Sequence, residues 1–295
     1  MNYKLLFPTY RGRQRWVLQT LDRIKRAAEI ARLINVGCGE GDIDCDLREY
    51  SGRLVSLDIN PQDVIHARAL NADKADLRYT VADAHYLPFD DATFDVVCCL
   101  EVIEHVADPR ACLREFARVV RFGGYVLVSC PSARFPVTYD PVNWVLSRIG
   151  THISVGAFGY GHSWLVYEEE VTRWAGDAGL ELLDSAHISK ALAAIVEVYW
   201  PSLIQSIAKA NAENRGAEIG RCGEKPRSRA RLLPAIRPTR RLPRLCALTD
   251  ALITADDRLF SSSRSSVSLG FLFQKGAETG PTALRNPPIH RERHD

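Results

Sequence analysis

Three short stretches of this chain place residue types at spacings that suit a nucleoside-like ligand. The first is LINVGCGEGD, with Gly37, Gly39 and Gly41. A glycine-rich turn directly after a strand lets the backbone approach a ligand closely at the carboxyl end of a sheet. Dinucleotide folds want G-x-G-x-x-G, but position 42 is Asp. The G-x-G-x-G form suits a shorter ligand without a pyrophosphate. The second is Asp58 in VSLDIN, an acidic side chain at a strand end, where it can accept hydrogen bonds from both ribose hydroxyls. The third is Asp83-Ala84 after another strand. A carboxylate there can accept from an adenine amino group, with Ala84 framing the ring. Singly, each is a common turn residue; their order along the chain gives them weight.

The elements that must position these residues follow from hydrophobic periodicity. Trp16 to Ala31 reads as an amphipathic helix. Runs 33–38, 53–59, 77–84, 94–100, 125–131, 180–188 and 266–274 read as strands, and FDVVCCL (94–100) is apolar throughout, as a central parallel strand should be. Helices are predicted at 61–70, opening with Pro61, at 108–124, ending at a glycine pair, and at 167–179. Such alternation predicts an α/β fold with a doubly wound, mostly parallel sheet. Of 295 residues, 46% are apolar and 25% charged, ordinary for a soluble globular protein with a sizeable core. None of the eight cysteines forms a C-x-x-C pair, which argues against a zinc ribbon or a thioredoxin-like site and favours a reducing, cytoplasmic setting. The opening MNYKLLFPTYRGRQRW does not read as a secretory signal, and no run of 18 apolar residues suggests a membrane span.

The successive runs VGCGEGD, LDIN, VADAHYLPFDDATFDVVCCLEVIEHVADP and LREFARVVRFGGYVLVSCP resemble the class I S-adenosylmethionine-dependent methyltransferases. The similarity is greatest to the branch holding ubiquinone- and menaquinone-pathway and small-molecule enzymes. It covers about Leu33 to Ile188, with a closing strand near Ser266 to Gln274. It implies a Rossmann-like, doubly wound, mostly parallel seven-stranded sheet with an antiparallel last strand and a helical insertion before it. It also implies S-adenosylmethionine as methyl donor. On this resemblance Gly37, Gly39 and Gly41 cradle the methionine part, Asp58 the ribose, and Asp83 and Ala84 the adenine. Leu100 and Glu101 line the donor site near the methyl group, and Asn35, Cys38 and Ile59 belong to the same cofactor-binding set. Asn35 departs from the family, which usually has Asp or Glu two residues before the first glycine.

Methyl transfer from a sulfonium is an in-line displacement that depends on alignment, and a general base is needed only for a poorly acidic hydroxyl or an ammonium. His105, with Glu104, is the candidate. The alternative is that both orient the loop after the fourth strand. The E-x-x-E-H spacing of Glu101, Glu104 and His105 also resembles quinone-pathway O-methyltransferases that bind a divalent cation; a metal is possible on that pattern but is not the expectation. In FGYGHSWLVYEEE (158–170), Tyr160, His162 and Trp164 either face the substrate or belong to the core.

Residues 189–265 interrupt the sheet rhythm. An apolar helical stretch, 191–210, precedes the arginine- and proline-rich 221–245. The combination suggests peripheral contact with an anionic membrane or a lipid phosphate pocket; a soluble helical lid is the alternative. RNA would also suit the arginines, but aromatics for base stacking are sparse among them, so nucleic acid is not the expected partner. The expected organisation is a helical cap at 1–32, the methyltransferase core at 33–188, the insertion at 189–265, the closing strand at 266–274 and a disordered tail at 275–295. The expected activity is methylation of a small-molecule or lipid-linked acceptor in quinone or cell-envelope glycan synthesis. An RNA methyltransferase and a non-catalytic scaffold are the alternatives. Asn286-Pro287-Pro288-Ile289 resembles the box of amide and adenine methylases but stands far from the fourth strand, where that box belongs.

Overall fold

The computed structural model describes residues 3–72, 76–134, 145–146, 148–151, 166–194, 196 and 242–276. Seven strands form one sheet: β1 (Arg32–Val36), β2 (Arg53–Asp58), β3 (Leu77–Val81), β4 (Phe94–Leu100), β5 (Val120–Pro131), β6 (Leu180–Ile188) and β7 (Ser268–Lys275). Their order is β3-β2-β1-β4-β5-β7-β6, and β7 alone runs antiparallel to its neighbours. β1 pairs with both β2 and β4, so the chain winds outward in both directions from β1. The crevice beyond the carboxyl ends of β1 and β4 is the switch point where ligands bind in open α/β sheets.

Two apolar layers hold the sheet. Ile34, Val36, Val97 and Cys99 pack against Leu113, Phe116, Val171 and Ala175, from α4 (Pro109–Val119) and α5 (Glu168–Asp177). On the opposite face Leu33, Val96 and Cys98 pack against Val17, Leu21 and Ile24 of α1 (Pro8–Ala27) and Leu47 of α2 (Asp44–Arg48). β4 is buried on both faces, as its unbroken apolar run requires. α3 (Pro61–Leu70) and α4 each open on proline, with Asn60 and Asp108 as side-chain caps.

Boundaries differ from the sequence reading where polar contacts or glycine geometry decide. α1 starts at Pro8 rather than Trp16. Its first turns are polar and held by ion pairs: the Arg11 guanidinium donates to both Asp250 oxygens at 2.9 and 3.0 Å, on α6 (Leu242–Leu259). A helix continuing to residue 124 is not what forms. Val120 turns extended (φ −77°, ψ 139°), and β5 begins there, pairing with Phe94 before a register shift at the glycine pair. Lys275, expected in a disordered tail, completes β7 and donates to the Val120 carbonyl at 3.0 Å. The five-residue α2 escaped prediction because it buries little more than Leu47 and Asp44. The arginine-rich 221–241, the tail beyond Gly276 and the 286–289 box lie outside the described residues. Among the described residues no helix is long and apolar enough to cross a membrane.

Candidate functional site

The glycine turn lies over the end of β1. Gly37, Gly39 and Gly41 hold φ of +75°, +51° and +77°, a region that disfavours side chains. A Cβ at Gly37 would collide with Val102 after β4, and one at Gly41 would come within 2.8 Å of Ala67 and 2.9 Å of the Tyr79 hydroxyl. A Cβ at Gly39 would meet nothing within 4 Å, so the turn is open there. The Gly37 and Cys38 N–H groups donate to the Leu57 carbonyl at 2.8 and 2.9 Å. Asp58 finishes the link between turn and β2: Oδ2 accepts from the Gly39 N–H and Oδ1 from the Asn60 N–H, both at 2.9 Å. Beside it Ile59 is exposed.

Asn35 is buried beneath this turn, and its amide donates to Asp44 Oδ1 at 2.7 Å. The Ser56 hydroxyl donates to the same oxygen at 2.9 Å, and the Tyr79 hydroxyl to Oδ2 at 2.7 Å. Asn71 donates to the Tyr79 hydroxyl (2.8 Å) and to the Gly41 carbonyl (3.3 Å), which ties the network to the glycine turn. Burial pushes the Asp44 carboxyl up, while the three donors pull it down. A carboxylate therefore does stand under the turn, nine residues after Asn35. No local pattern marks Asp44, because the pairing closes only when α2 folds back.

At the end of β3, Asp83 Oδ1 accepts from the His85 backbone N–H (2.9 Å) and lies 2.6 Å from His85 Nδ1. These contacts hold the Asp83 carboxyl below its ordinary range, the backbone N–H first. Ala84 is buried in the core beside it.

At the end of β4, Leu100 is half-buried and Glu101 takes the left-handed φ of +55°. Glu101 Oε1 accepts from the Ser129 and Ser268 hydroxyls at 2.9 and 2.8 Å, while Oε2 pairs with the Arg13 guanidinium of α1 at 3.0 Å. Arg13 thus reaches the crevice from the first helix, a role its sequence context does not signal. Lys4 pairs with Asp42 and with Glu40, so the amino-terminal turn also closes over the glycine loop. Glu104 is fully buried, and neither of its oxygens has a hydrogen-bond partner among the described residues. Burial, with Glu101 nearby, pushes its carboxyl well up. His105 Nε2 lies 3.7 Å from Glu104 Oε1. Desolvation lowers the His105 imidazole, opposed by Glu101, so its neutral form is favoured. Among the described residues no group of His, Cys, Asp or Glu side chains converges as a metal-ligand set; Glu101 is already engaged by two hydroxyls and a guanidinium. Tyr160, His162 and Trp164 lie outside the described residues. A cavity of about 550 Å³ lined by Glu168, Glu169, Thr172, Arg173, His187 and Arg264 sits at the β6 side, beyond β5 and β7 from this crevice.

A glycine cradle, a ribose-competent acid at β2 and an adenine-competent acid at β3 surround one switch-point crevice. Residues 34–128 match the Methyltransferase domain family. The chain carries a class I S-adenosylmethionine-dependent methyltransferase domain. S-adenosylmethionine is the methyl donor, and the open turn at Gly39 with the Asp58 acceptor fits it. The methyltransferase is 24% identical over 176 residues to the ubiquinone biosynthesis O-methyltransferase of Leptothrix cholodnii, covering 58% of this chain and 71% of that one. It is 30% identical over 173 residues to that of Parvibaculum lavamentivorans, covering 57% and 65%. The chain thus spans about two thirds of the length of these relatives. In fold it is similar to a sarcosine dimethylglycine methyltransferase from Galdieria sulphuraria, with a TM-score of 0.54 at 16% identity over 90% of this chain and 86% of that one. It is equally similar to the [4+2]-cyclase SpnF, with a TM-score of 0.54 at 16% identity over 88% and 80%. A cyclase on the same fold shows that fold alone does not name the reaction.

Proposed function

We propose that the methyltransferase methylates a hydroxyl of a small-molecule or lipid-linked acceptor, of the kind used in quinone or cell-envelope glycan synthesis, in a cytoplasmic setting. The observation that carries this reading is His105: a solvent-accessible imidazole whose neutral form is favoured by partial desolvation, on the loop that follows β4, three residues after the Val102 that packs on Gly37. The ubiquinone biosynthesis O-methyltransferase names of the relatives support a hydroxyl acceptor.

S-adenosylmethionine supplies an electrophilic methyl on a sulfonium, and the chain's residues do the rest. The glycine turn and Arg13 face the donor's amino-acid end, Asp58 accepts from the ribose, and Asp83 accepts from the adenine amino group. His105 would take the hydroxyl proton as the oxygen attacks the methyl carbon and its bond to sulfur breaks, so that the products are a methyl ether, S-adenosylhomocysteine and an imidazolium. Glu104, whose carboxyl is pushed well up by burial and by Glu101 nearby, is disfavoured from adding a second negative charge there. Tyr160, His162 and Trp164 are proposed to face the acceptor. Donor-consumption assays against phenolic, quinol-like and lipid-linked acceptors test this reading. Turnover with a hydroxyl acceptor that collapses in His105→Ala supports it, and turnover confined to amine, carbon or RNA acceptors overturns it.

The insertion is proposed to form a unit at 189–265 that touches an anionic membrane surface. Support comes from α6, which leaves Leu248 and Leu259 largely exposed, and from the arginines that precede it in sequence. Exposed cations near a surface attract anionic lipid and weaken with salt. Sedimentation with anionic but not neutral vesicles, lost when Arg227, Arg229, Arg231, Arg237, Arg240 and Arg241 become glutamine, is the expected result. Equal sedimentation with both vesicle types contradicts it.

A further inference from the structure

We propose that His85 is a positioning residue that aims Asp83 at the donor's purine and so sets the enzyme's preference for a 6-amino group; the inference rests on the donor-site reading above. The imidazole bridges two loops that sequence keeps apart. Its Nδ1 lies 2.6 Å from Asp83 Oδ1, on the turn after β3. Its Nε2 accepts from the Asp108 N–H at 3.2 Å, on the loop after β4. An N–H can only donate, so Nε2 must carry the lone pair. The proton of the neutral ring then sits on Nδ1 and points at Asp83. The ring is thus set in one tautomer by a backbone group that has no other freedom. Asp108 is itself anchored, since its side chain caps α4 by accepting from the Arg110 and Ala111 N–H groups at 2.9 and 3.2 Å.

The consequence falls on Asp83. Oδ1 receives two hydrogen bonds from the same residue, from the His85 backbone N–H at 2.9 Å and from Nδ1. Those two donors consume its acceptor capacity and fix the plane of the carboxylate. Both His85 contacts fall on Oδ1, which leaves Oδ2 as the acceptor for a ligand on a side chain that is 41% accessible. A carboxylate held this way presents an acceptor and no donor. It favours an exocyclic amino group on a purine and gains nothing from a purine with hydrogen at that position. Without the imidazole, the half-exposed Asp83 side chain can rotate and hydrate, and the selectivity fades while the cradle and the ribose acceptor stay.

The test compares binding of S-adenosylhomocysteine with binding of its analogue carrying hydrogen in place of the purine 6-amino group, by calorimetry. The wild type should prefer the amino form by roughly ten- to a hundredfold, the size of one hydrogen bond to a charged acceptor. His85→Asn places an amide nitrogen near Nδ1 and should keep most of that ratio. His85→Gln places its amide near Nε2, too far from Asp83, and its ratio should fall toward one. A merely structural residue would weaken both ligands alike and leave the ratio intact in both variants; that result, or an unchanged ratio in His85→Gln, overturns the inference. Histidine ¹⁵N spectra of the wild type in alkaline buffer give a check that needs no variant: protonated Nδ1 supports the assignment, and protonated Nε2 contradicts it. Failure of the wild type to bind S-adenosylhomocysteine at all would instead overturn the donor-site reading beneath it.

Discussion

The two sides of the crevice are built differently. On the donor side, over β1, β2 and β3, the polar side chains described are answered by backbone N–H groups or by one another, as in the network of Asn35, Ser56 and Tyr79 around Asp44. Asp58 holds the Gly39 and Asn60 N–H groups, and Asp83 holds that of His85. On the side beyond β4, Glu104 is buried with no hydrogen-bond partner among the described residues, and His105 stands beside it at 3.7 Å. The first side is held by its own hydrogen bonds, which tie the glycine turn to the end of β2, to β3 and to α2. The second keeps a buried acid whose carboxyl is pushed well up and an imidazole pushed down, an arrangement costly for stability and the one on which the proposed general-base role rests.

The largest effect should come from Gly37→Ala. A methyl group there meets Val102 and forces a residue with a side chain into φ of +75°. Left-handed strain of ~1–2 kcal/mol and overpacking of ~1–3 kcal/mol predict a loss of roughly 2–5 kcal/mol in stability. Chemical denaturation measures it; a loss under about 1 kcal/mol would show that the turn yields and is not the rigid half of the comparison.

Much of the donor side was legible because each of its parts is local. Glycines that need positive φ, an acid at a strand end and a proline at a helix start carry their geometry in a few consecutive residues. β4, β6 and α3 fall where periodicity places them, residues 94–100, 180–188 and 61–70. What could not be read depends on distant pairs. Arg13 meets Glu101 across 88 positions, Asp44 answers Asn35 only through α2, and His85 meets Asp108 only after two loops converge. The early start of β5 was missed because Val119, Val120 and Arg121 suit either a helix or a strand, and strand pairing with Phe94 decides.

His105→Ala sharpens the comparison on the other side. Removing a general base should lower kcat by roughly 10²–10⁴-fold while S-adenosylhomocysteine affinity changes little. Equal falls in both would assign His105 to holding the loop. The pH dependence follows from its lowered pKa: activity should persist below the usual histidine range and fall only when the imidazole finally protonates.

Glu104→Gln should give a smaller effect, in stability and in a defined direction. Burial raises the Glu104 carboxyl in the folded chain above its unfolded value. Below the unfolded value both states hold the proton and nothing is lost. As pH rises through the interval to the folded value, the unfolded chain sheds its proton first, and the wild type loses stability. Glutamine cannot ionise, so the variant's Tm should exceed the wild type's at alkaline pH, with the gap closing in acid. A gap that instead grows in acid would mean that Glu104 is ionised and paired.

The most direct measurement is calorimetric binding of S-adenosylhomocysteine to the wild type and to Asp58→Ala. Asp58 is expected to accept from the ribose while it holds the Gly39 N–H. Removing it should cost about 1.5–3 kcal/mol, roughly a ten- to 150-fold weaker Kd, with the sheet still folded. Tight wild-type binding that weakens by this factor is the predicted result; no binding by the wild type, or affinity untouched in the variant, would contradict the donor site described here.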